Sequence, residues 1–579
     1  MSDKNGFLRN LFLGDVLEDK VFPYPRMKEE ELEVVEMISD SIKRFGKEVD
    51  QDAIDQAEKL PPELLEKMKD MELFGLIIPE EYGGMGLSVS GYARVLEDLA
   101  VQGAAVGVTI GAHQSIGMKG LLLFGNETQK QHYLPKLASG EMLAGFCLTE
   151  PNSGSDAASI RTRAELSADG SHYLLNGEKQ FITNGGLADF FTVFAKTPIE
   201  ESGVKQDKIT TFIVTRDLGG VSNGPEEKKL GWKGSSTTTV YFENVKVPVE
   251  NVIGEVGKGF KVAMEILNNG RLSTSTASFG VARLMIDMSI KYAGERKQFG
   301  QNIGRFDMIK EKIAHMSMLA YGMQCVGYLT AGLADNGEQD YAIETAVAKV
   351  FSTEALWKIC DEALQIHGGM GYIRELPIER FLRDARLGVI VEGTSEILRA
   401  LIALEGLKTL GKFLKKHGLK GYAQKTFTPA RMGKHHPTFE KEAGLFCKSV
   451  DKLSAYAMQL LRVYKKDVIS KQLHQKRIAE AVIDLYVMAA MIARTSALLE
   501  TGRSKEDATT EVYMTRSFCR MAYERIENLM DQFDLNHDSY LARLADKLYE
   551  DGAFLPKIAD LGSQEASQTQ KKSDLATVA

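Results

Sequence analysis

Phe146-Cys147-Leu148-Thr149-Glu150-Pro151-Asn152-Ser153-Gly154-Ser155-Asp156 marks the point where this chain changes texture. A strand-like apolar run stops there at a turn dense in hydroxyl and amide groups, a loop able to offer several donors to an anion or to the polar edge of a heterocycle. The same composition also suits an ordinary Asx or Ser turn. Upstream, to about Glu141, nothing alternates as a strand does. From Glu29 the residues Leu32, Val35, Ile38, Ile42 and Phe45 recur at intervals of three and four, one apolar stripe of a helix. Pro61-Pro62 opens a second helical stretch through Leu65, Met68 and Met71, and a glycine-rich break at 82–86 precedes a third from Val89 to Leu99.

Downstream, residues 143–250 carry turn signals at Asp169-Gly170 and Asn176-Gly177 between strand-like runs at 163–166, 173–175, 190–195, 209–214 and 237–249. After Gly257-Lys258-Gly259 the helical period returns and runs to about Leu407, with breaks near Gly300, Gly337 and Gly368. The order is helices, sheet, helices, so the fold class is mainly α with an inserted β domain. Residues 402–437 are basic, and beyond Thr438 three long helical patterns read as an added bundle. We divide the chain into an arm (1–28), a helical domain (29–142), a β domain (143–256), a helical bundle (257–407), a basic linker (408–438), a helical extension (439–562) and a polar tail (563–579) expected to be disordered.

Composition narrows the function classes. The chain has 579 residues, too many for one small module, and its 44% hydrophobic content is ample for a large core. Only 14 prolines leave room for long helices. The net charge of −8, from 71 basic and 79 acidic residues, argues against a nucleic-acid-coating protein. Five scattered cysteines show no metal or CxxC spacing, which suits a reducing compartment and predicts no metal site. His435-His436 lacks further ligands. The start, Met1 to Gly6, lacks the order of a signal or transit peptide. The best apolar stretch, Leu485 to Ala493, is bounded by Asp484 and Arg494, so no membrane span is expected. The reading is a cytoplasmic protein.

No GxGxxG follows a strand and no P-loop, HExxH or GxSxG occurs, so nicotinamide, kinase and common hydrolase chemistry lose ground. Four further clusters join the first: Lys179 to Gly185, with Phe181, Ile182 and Thr183 at a strand end; Glu295 to Gly300; Gln365-Ile366-His367-Gly368-Gly369-Met370-Gly371-Tyr372; and Val391-Glu392-Gly393-Thr394-Ser395-Glu396-Ile397-Leu398-Arg399. In the last, an apolar run stops at a lone Glu and a helix starts, with Thr394 as N-cap and Glu396 in the first turn.

In this order the clusters resemble the acyl-CoA dehydrogenase flavoproteins over residues 30–407. Phe7 to Gly14, Val21 to Pro25, Gly107 to Gly117 and the C-terminal extension resemble the very-long-chain branch. The resemblance implies an N-terminal helical domain, a middle β domain and a C-terminal four-helix bundle, with FAD between the last two. Phe146, Leu148 and Thr149 are then expected at the flavin, Ser155 near the pyrophosphate and CoA, and Phe181, Ile182 and Thr183 against the ring. Arg296, Gln365 and Gly369 match positions that reach the FAD of the neighbouring subunit in a homodimer, while Thr394 and Glu396 match positions near the phosphates and adenosine.

Glu392 matches the family's base. It is expected to take the α-proton of an acyl-CoA while the β-hydrogen leaves as hydride to flavin N5, giving the trans-2-enoyl-CoA. Some relatives carry the base just before the arginine that is Arg271 here, but this chain has Gly270 there. Asn268 and Arg271 are expected to support the base and the CoA arm, with Val391 and Gly393 flanking the substrate. Gly107 and Gly111, on one helical face, either open a deep acyl tunnel or allow close helix packing. The resemblance thus implies oxidation of long-chain acyl-CoA in fatty-acid β-oxidation, with electron-transfer flavoprotein as acceptor. An acyl-CoA oxidase and an assembly protein on the same fold are the alternatives. Lys412, Lys415 and Lys416 beside Leu410, Phe413 and Leu414 suggest either peripheral membrane contact through residues 402–437 or a solvated linker.

Overall fold

A computed structural model of the chain describes residues 6–201, 203–426, 428–502 and 506–554, giving only the backbone for 201 and 419–426. The chain forms two compact units, Met1–Met530 and Asp531–Ala579. The expected extension is therefore divided: helices Glu440–Tyr464, Gln472–Glu500 and Thr509–Met530 belong to the first unit, and helix Asp538–Asp551 to the second. The polar tail lies outside the described residues.

In the first unit the helices after Glu29 bury one face in a common core. Val35, Ile42 and Phe45 of helix Glu29–Gly46 pack with Leu64, Met68, Tyr92, Leu96 and Leu99, whereas Leu32 at the end of the stripe is exposed. Among the described residues no strand precedes Ala144. Strands β1 (Ala144–Cys147), β2 (Arg163–Leu166), β3 (His172–Thr183), β4 (Phe190–Glu201), β5 (Val204–Thr215), β6 (Val221–Asn223), β7 (Thr237–Pro248) and β8 (Val252–Ile253) form one mixed sheet. Its order is β6-β7-β3-β2-β4-β5-β8, with β1 pairing β4 in parallel.

Asp169-Gly170 turns the chain between β2 and β3 as expected. Asn176-Gly177 does not. It lies inside β3 at a register shift against β7, and a Cβ on Gly177 would fall 2.5 Å from the Thr162 hydroxyl. The glycine permits a bulge and a close crossing rather than a hairpin turn.

The long helix Gly259–Glu295 ties sheet to bundle. Its early residues Val262, Ala263 and Ile266 pack on Leu148, Phe194 and Ile209 of the sheet. Its later residues, Phe279 to Ala293, enter the core shared with helices Asp307–Asp335, Ala342–His367 and Ile378–Gly388. Gly270 falls at the junction.

The expected basic linker is mostly helix, because Ser395–Thr426 continues through residue 408 and departs from helical geometry inside only at Gly418 (φ 65°). Helix Gln472–Glu500 runs through the apolar stretch 485–493 and beyond both charges that bound it. It is long and apolar enough to cross a membrane, with Asp484 and Arg494 both within it, but 83% of its most apolar window is buried in the fold. It is a core helix, and Asp484 is paired with Arg525 at 2.6 Å.

The arm docks on the bundle. Phe7, Leu8, Leu11 and Phe12 are buried; the Leu8 N–H donates to Glu344 (2.8 Å), Arg9 pairs with Asp340 and Glu405 (both 2.7 Å), and the Ser454 hydroxyl donates to the Phe12 carbonyl (3.1 Å).

Candidate active site

The turn 389–394 joins two helices in a conformation the sequence alone does not announce. The Val391 N–H closes on Leu387 (3.2 Å) and the Ser395 N–H on Val389 (3.1 Å). Glu392 and Gly393 both take positive φ, +58° and +93°. For a glutamate this is a sparsely populated region that persists only where the surroundings enforce it. Two buried cations do so. Arg271 Nε donates to the Glu392 carbonyl (3.2 Å), and Lys349 Nζ donates to the Gly393 carbonyl (2.9 Å). Arg271 is held in turn by Asn268 Oδ1 (3.0 Å), and Thr394 Oγ1 accepts from the Ile397 N–H (3.4 Å) as the expected cap.

The Glu392 side chain points inward, and its Oε2 is shielded from solvent without a hydrogen-bond partner. Burial pushes this carboxyl up to about 7, against the opposing pull of Arg271 and Lys349. The contact with Gly270 explains the glycine: a Cβ there would lie 2.6 Å from Glu392 Oε2.

Glu392 and Val391 line an elongated cavity, partly open to solvent, that also touches Thr183, Gly107, Gly111 and Gly270. One wall is the Gly259–Glu295 helix from Gly270 to Val281. Another is helix Ala104–Ala112 and the π-helical turn His113–Gly117 that follows it, which brings Ser115 and Ile116 to the cavity. His113 anchors that turn, bonding Leu137 O (3.1 Å) and accepting from the Ala144 N–H (2.9 Å). The two glycines differ. A Cβ on Gly111 would meet nothing within 4 Å, whereas one on Gly107 would press to 3.2 Å on the Ala100 backbone.

Comparison with known proteins decides the family. Profiles described as the acyl-CoA dehydrogenase N-terminal, middle and C-terminal domains match residues 29–141, 145–245 and 257–407, and the ACAD9/ACADV C-terminal domain matches 437–554. The chain belongs to the acyl-CoA dehydrogenase family. It is 42% identical to the human very long-chain specific acyl-CoA dehydrogenase, mitochondrial, covering 91% of this chain and 84% of that protein. A probable acyl-CoA dehydrogenase of Bacillus subtilis is 38% identical over 80% of each chain. The crystal structure of an acyl-CoA dehydrogenase complexed with FAD from Bacillus anthracis superposes with a TM-score of 0.81 at 34% identity, covering 96% of both chains. This acyl-CoA dehydrogenase is an FAD-dependent enzyme of fatty-acid β-oxidation, and the similarities do not favour an oxidase.

The residues expected around FAD in this acyl-CoA dehydrogenase fit such a group. Phe181 is 58% exposed at φ +58°, an aromatic face left bare beside the cavity-lining Thr183. Gly369 is exposed and a Cβ there would meet nothing within 4 Å, leaving backbone open to close approach. Thr149 and Phe146 are half-buried, and the Phe146 ring packs edge-on against Phe194 at 5.1 Å. Ile182 and Leu148 depart from the expectation. Both side chains are buried in the sheet's own cores, so Ile182 offers a cofactor only its backbone. Ser155 is exposed, while Ser153 is used internally, its hydroxyl donating to the Asp156 carbonyl. Arg296, Gln365, Gly369 and Glu396 are exposed and outside the Glu392 cavity.

Several supports escape the sequence reading. Lys179, wholly buried, pairs with Glu150 (2.7 Å) and donates to the Leu148 carbonyl (3.1 Å); Glu150 accepts from the Thr162 N–H (3.0 Å) and hydroxyl (2.6 Å). This ion pair fixes the Phe146–Asp156 turn. Strict alternation puts Lys179 on the same face as the exposed Phe181, two residues on; the register shift after Lys179 parts the two, so the sequence pattern pointed the wrong way. Lys349 had no signal at all.

Proposed function

We propose that Glu392 is the base that removes the α-proton of a long-chain acyl-CoA. The observation carrying this reading is its unpartnered, desolvated Oε2 at the Gly270 end of the elongated cavity. A carboxyl held near 7 is balanced between the ionised form that accepts a proton and the neutral form that retains it. Arg271 and Lys349 hold the turn so that the carboxylate need not reorganise when the proton arrives. The Glu392 backbone N–H donates to no described backbone carbonyl, and in this reading it holds the thioester oxygen as charge develops there. FAD, when bound against Phe181 and Thr183, supplies the two-electron acceptor for the β-hydride. Substrate filling the apolar cavity excludes water from the carboxylate.

The small residues along the cavity favour a long acyl chain, and the family supports electron-transfer flavoprotein as acceptor. Arg296, Gln365 and Gly369 are exposed, and close to them in the chain stand exposed apolar side chains, Phe299 (93%) and Tyr372 (76%). This favours a homodimer in which they reach the partner's FAD. Five free cysteines, four of them buried, support a reducing, cytoplasmic setting. Lys412, Lys415 and Lys416 are exposed on the Ser395–Thr426 helix while Leu410 is buried, which supports peripheral contact with anionic lipid; part of residues 402–437 lies outside the described side chains.

Anaerobic addition of palmitoyl-CoA to the yellow holoenzyme tests the central reading. Flavin absorbance should bleach in the wild type and persist in Glu392→Gln. Equal bleaching in both would remove Glu392 from the role of base.

A further inference from the structure

The cavity has a far end, and Trp232 lies among the residues that line it. Along the Gly259–Glu295 helix, lining residues run from Gly270, against the Glu392 carboxylate, to Val281, a span of about 16 Å at helical rise. The opposite wall ends at Ala104. The loop 231–235 sits at that end: Trp232 lines the cavity with Ala104, Phe381 and Asp384, and a Cβ on Gly234 would fall 3.1 Å from Ala105.

Trp232 adopts φ +52°, a left-handed conformation unfavourable for a bulky residue, so its placement is imposed by its surroundings. Its N–H donates to Asp384 Oδ1 (2.5 Å), and its carbonyl accepts from the Ser235 hydroxyl (2.8 Å). Gly231 lies so close to helix Ile378–Gly388 that a Cβ would be 2.5 Å from the Arg383 carbonyl, and Lys233 pairs with Glu58 (2.7 Å). The loop is clamped on both sides. Most of the wall between is small: Ala100, Gly107, Gly111, Ala277, Ala385 and Gly388.

We propose that Trp232, braced on Asp384, is the stop of the acyl tunnel and sets the longest saturated chain that the site takes in fully extended form. This rests on the reading of Glu392 as the base that fixes the α-carbon at the other end. At about 1.3 Å per methylene, from a C–C bond of ~1.5 Å, the span holds about a dozen carbons beyond the reacting pair. The stop therefore falls at an acyl chain of about fourteen to sixteen carbons, and a longer chain must bend or displace the indole.

The experiment measures kcat/KM for saturated acyl-CoAs from C8 to C24 in the wild type, Trp232→Phe and Trp232→Ala. Wild-type values should climb with each methylene to a break at about C14–C16, and the break should move to longer chains in Trp232→Phe and further in Trp232→Ala. Each methylene that gains the vacated space is worth about fourfold, from ~0.8 kcal/mol per buried CH₂. A second readout leaves Trp232 in place. The chain has two tryptophans, so Trp357→Phe makes Trp232 the sole emitter. Titrated with non-oxidisable alkyl-CoA thioethers, its emission should shift for C16 and stay constant for C8. Superimposable chain-length profiles, or equal emission changes with C8 and C16, would overturn the proposal while leaving the base intact. Absence of turnover with every chain length in the wild-type holoenzyme would remove the base reading and this one with it.

Discussion

Glu392 illustrates how little of a residue's chemistry is local. Its motif is legible in the sequence, but its backbone strain is held by Arg271 and Lys349, which reach it from two other helices, and burial raises its carboxyl against their pull. Lys349 sits in a helix that reads as ordinary core, so only the fold reveals it. The base must be ionised to act. Because burial raises its folded pKa to about 7, kcat/KM should rise with pH through an acid limb near 7 and level off above it. In Lys349→Met, loss of a nearby cation disfavours the carboxylate, and the limb should move to higher pH; an unmoved limb would confine Lys349 to holding the turn. Glu392→Gln should lower kcat by at least about a hundredfold at every pH. Lys179 makes a separate prediction. Lys179→Ala strands Glu150 in the interior and should cost about 3–5 kcal/mol in denaturant unfolding.

Among elements, the strands were readable because alternation and turn residues act over a few positions. The bulge at Gly177 was not, since its cause is Thr162, brought close only by strand pairing. Arrangements that depend on a second element escape a one-dimensional pattern, as the tunnel wall shows. The sequence leaves Gly107 and Gly111 open to two readings, and the space around them differs, open at Gly111 and close-packed at Gly107. Gly111→Leu fills open space, so it should shorten the preferred acyl chain with little change in melting temperature. Gly107→Leu presses on the Ala100 backbone and should destabilise by about 1–3 kcal/mol, as overpacking does. Measuring chain-length preference and thermal unfolding on both variants separates the readings.

On the scale of the whole molecule, the net charge of −8 conceals exposed lysines at 412, 415 and 416, and average composition conceals a span-like helix that is really core. If the lysine-bearing segment meets lipid, the holoenzyme should float with vesicles containing anionic phospholipid, and Lys412→Glu with Lys415→Glu should abolish flotation without lowering turnover of soluble acyl-CoA. Flotation unchanged by the substitutions would place the contact elsewhere.

The arm adds a constraint in time. Phe7, Leu8, Leu11 and Phe12 are made hundreds of residues ahead of Glu344, Glu405 and Ser454, which build their pocket. At ~5–20 residues per second, about twenty seconds to a minute and a half separates synthesis of the arm from that of its last partner. Over that interval a strongly apolar segment waits on the nascent chain without its pocket, a natural client for chaperones, and the first unit can close only after Ser454 has been made.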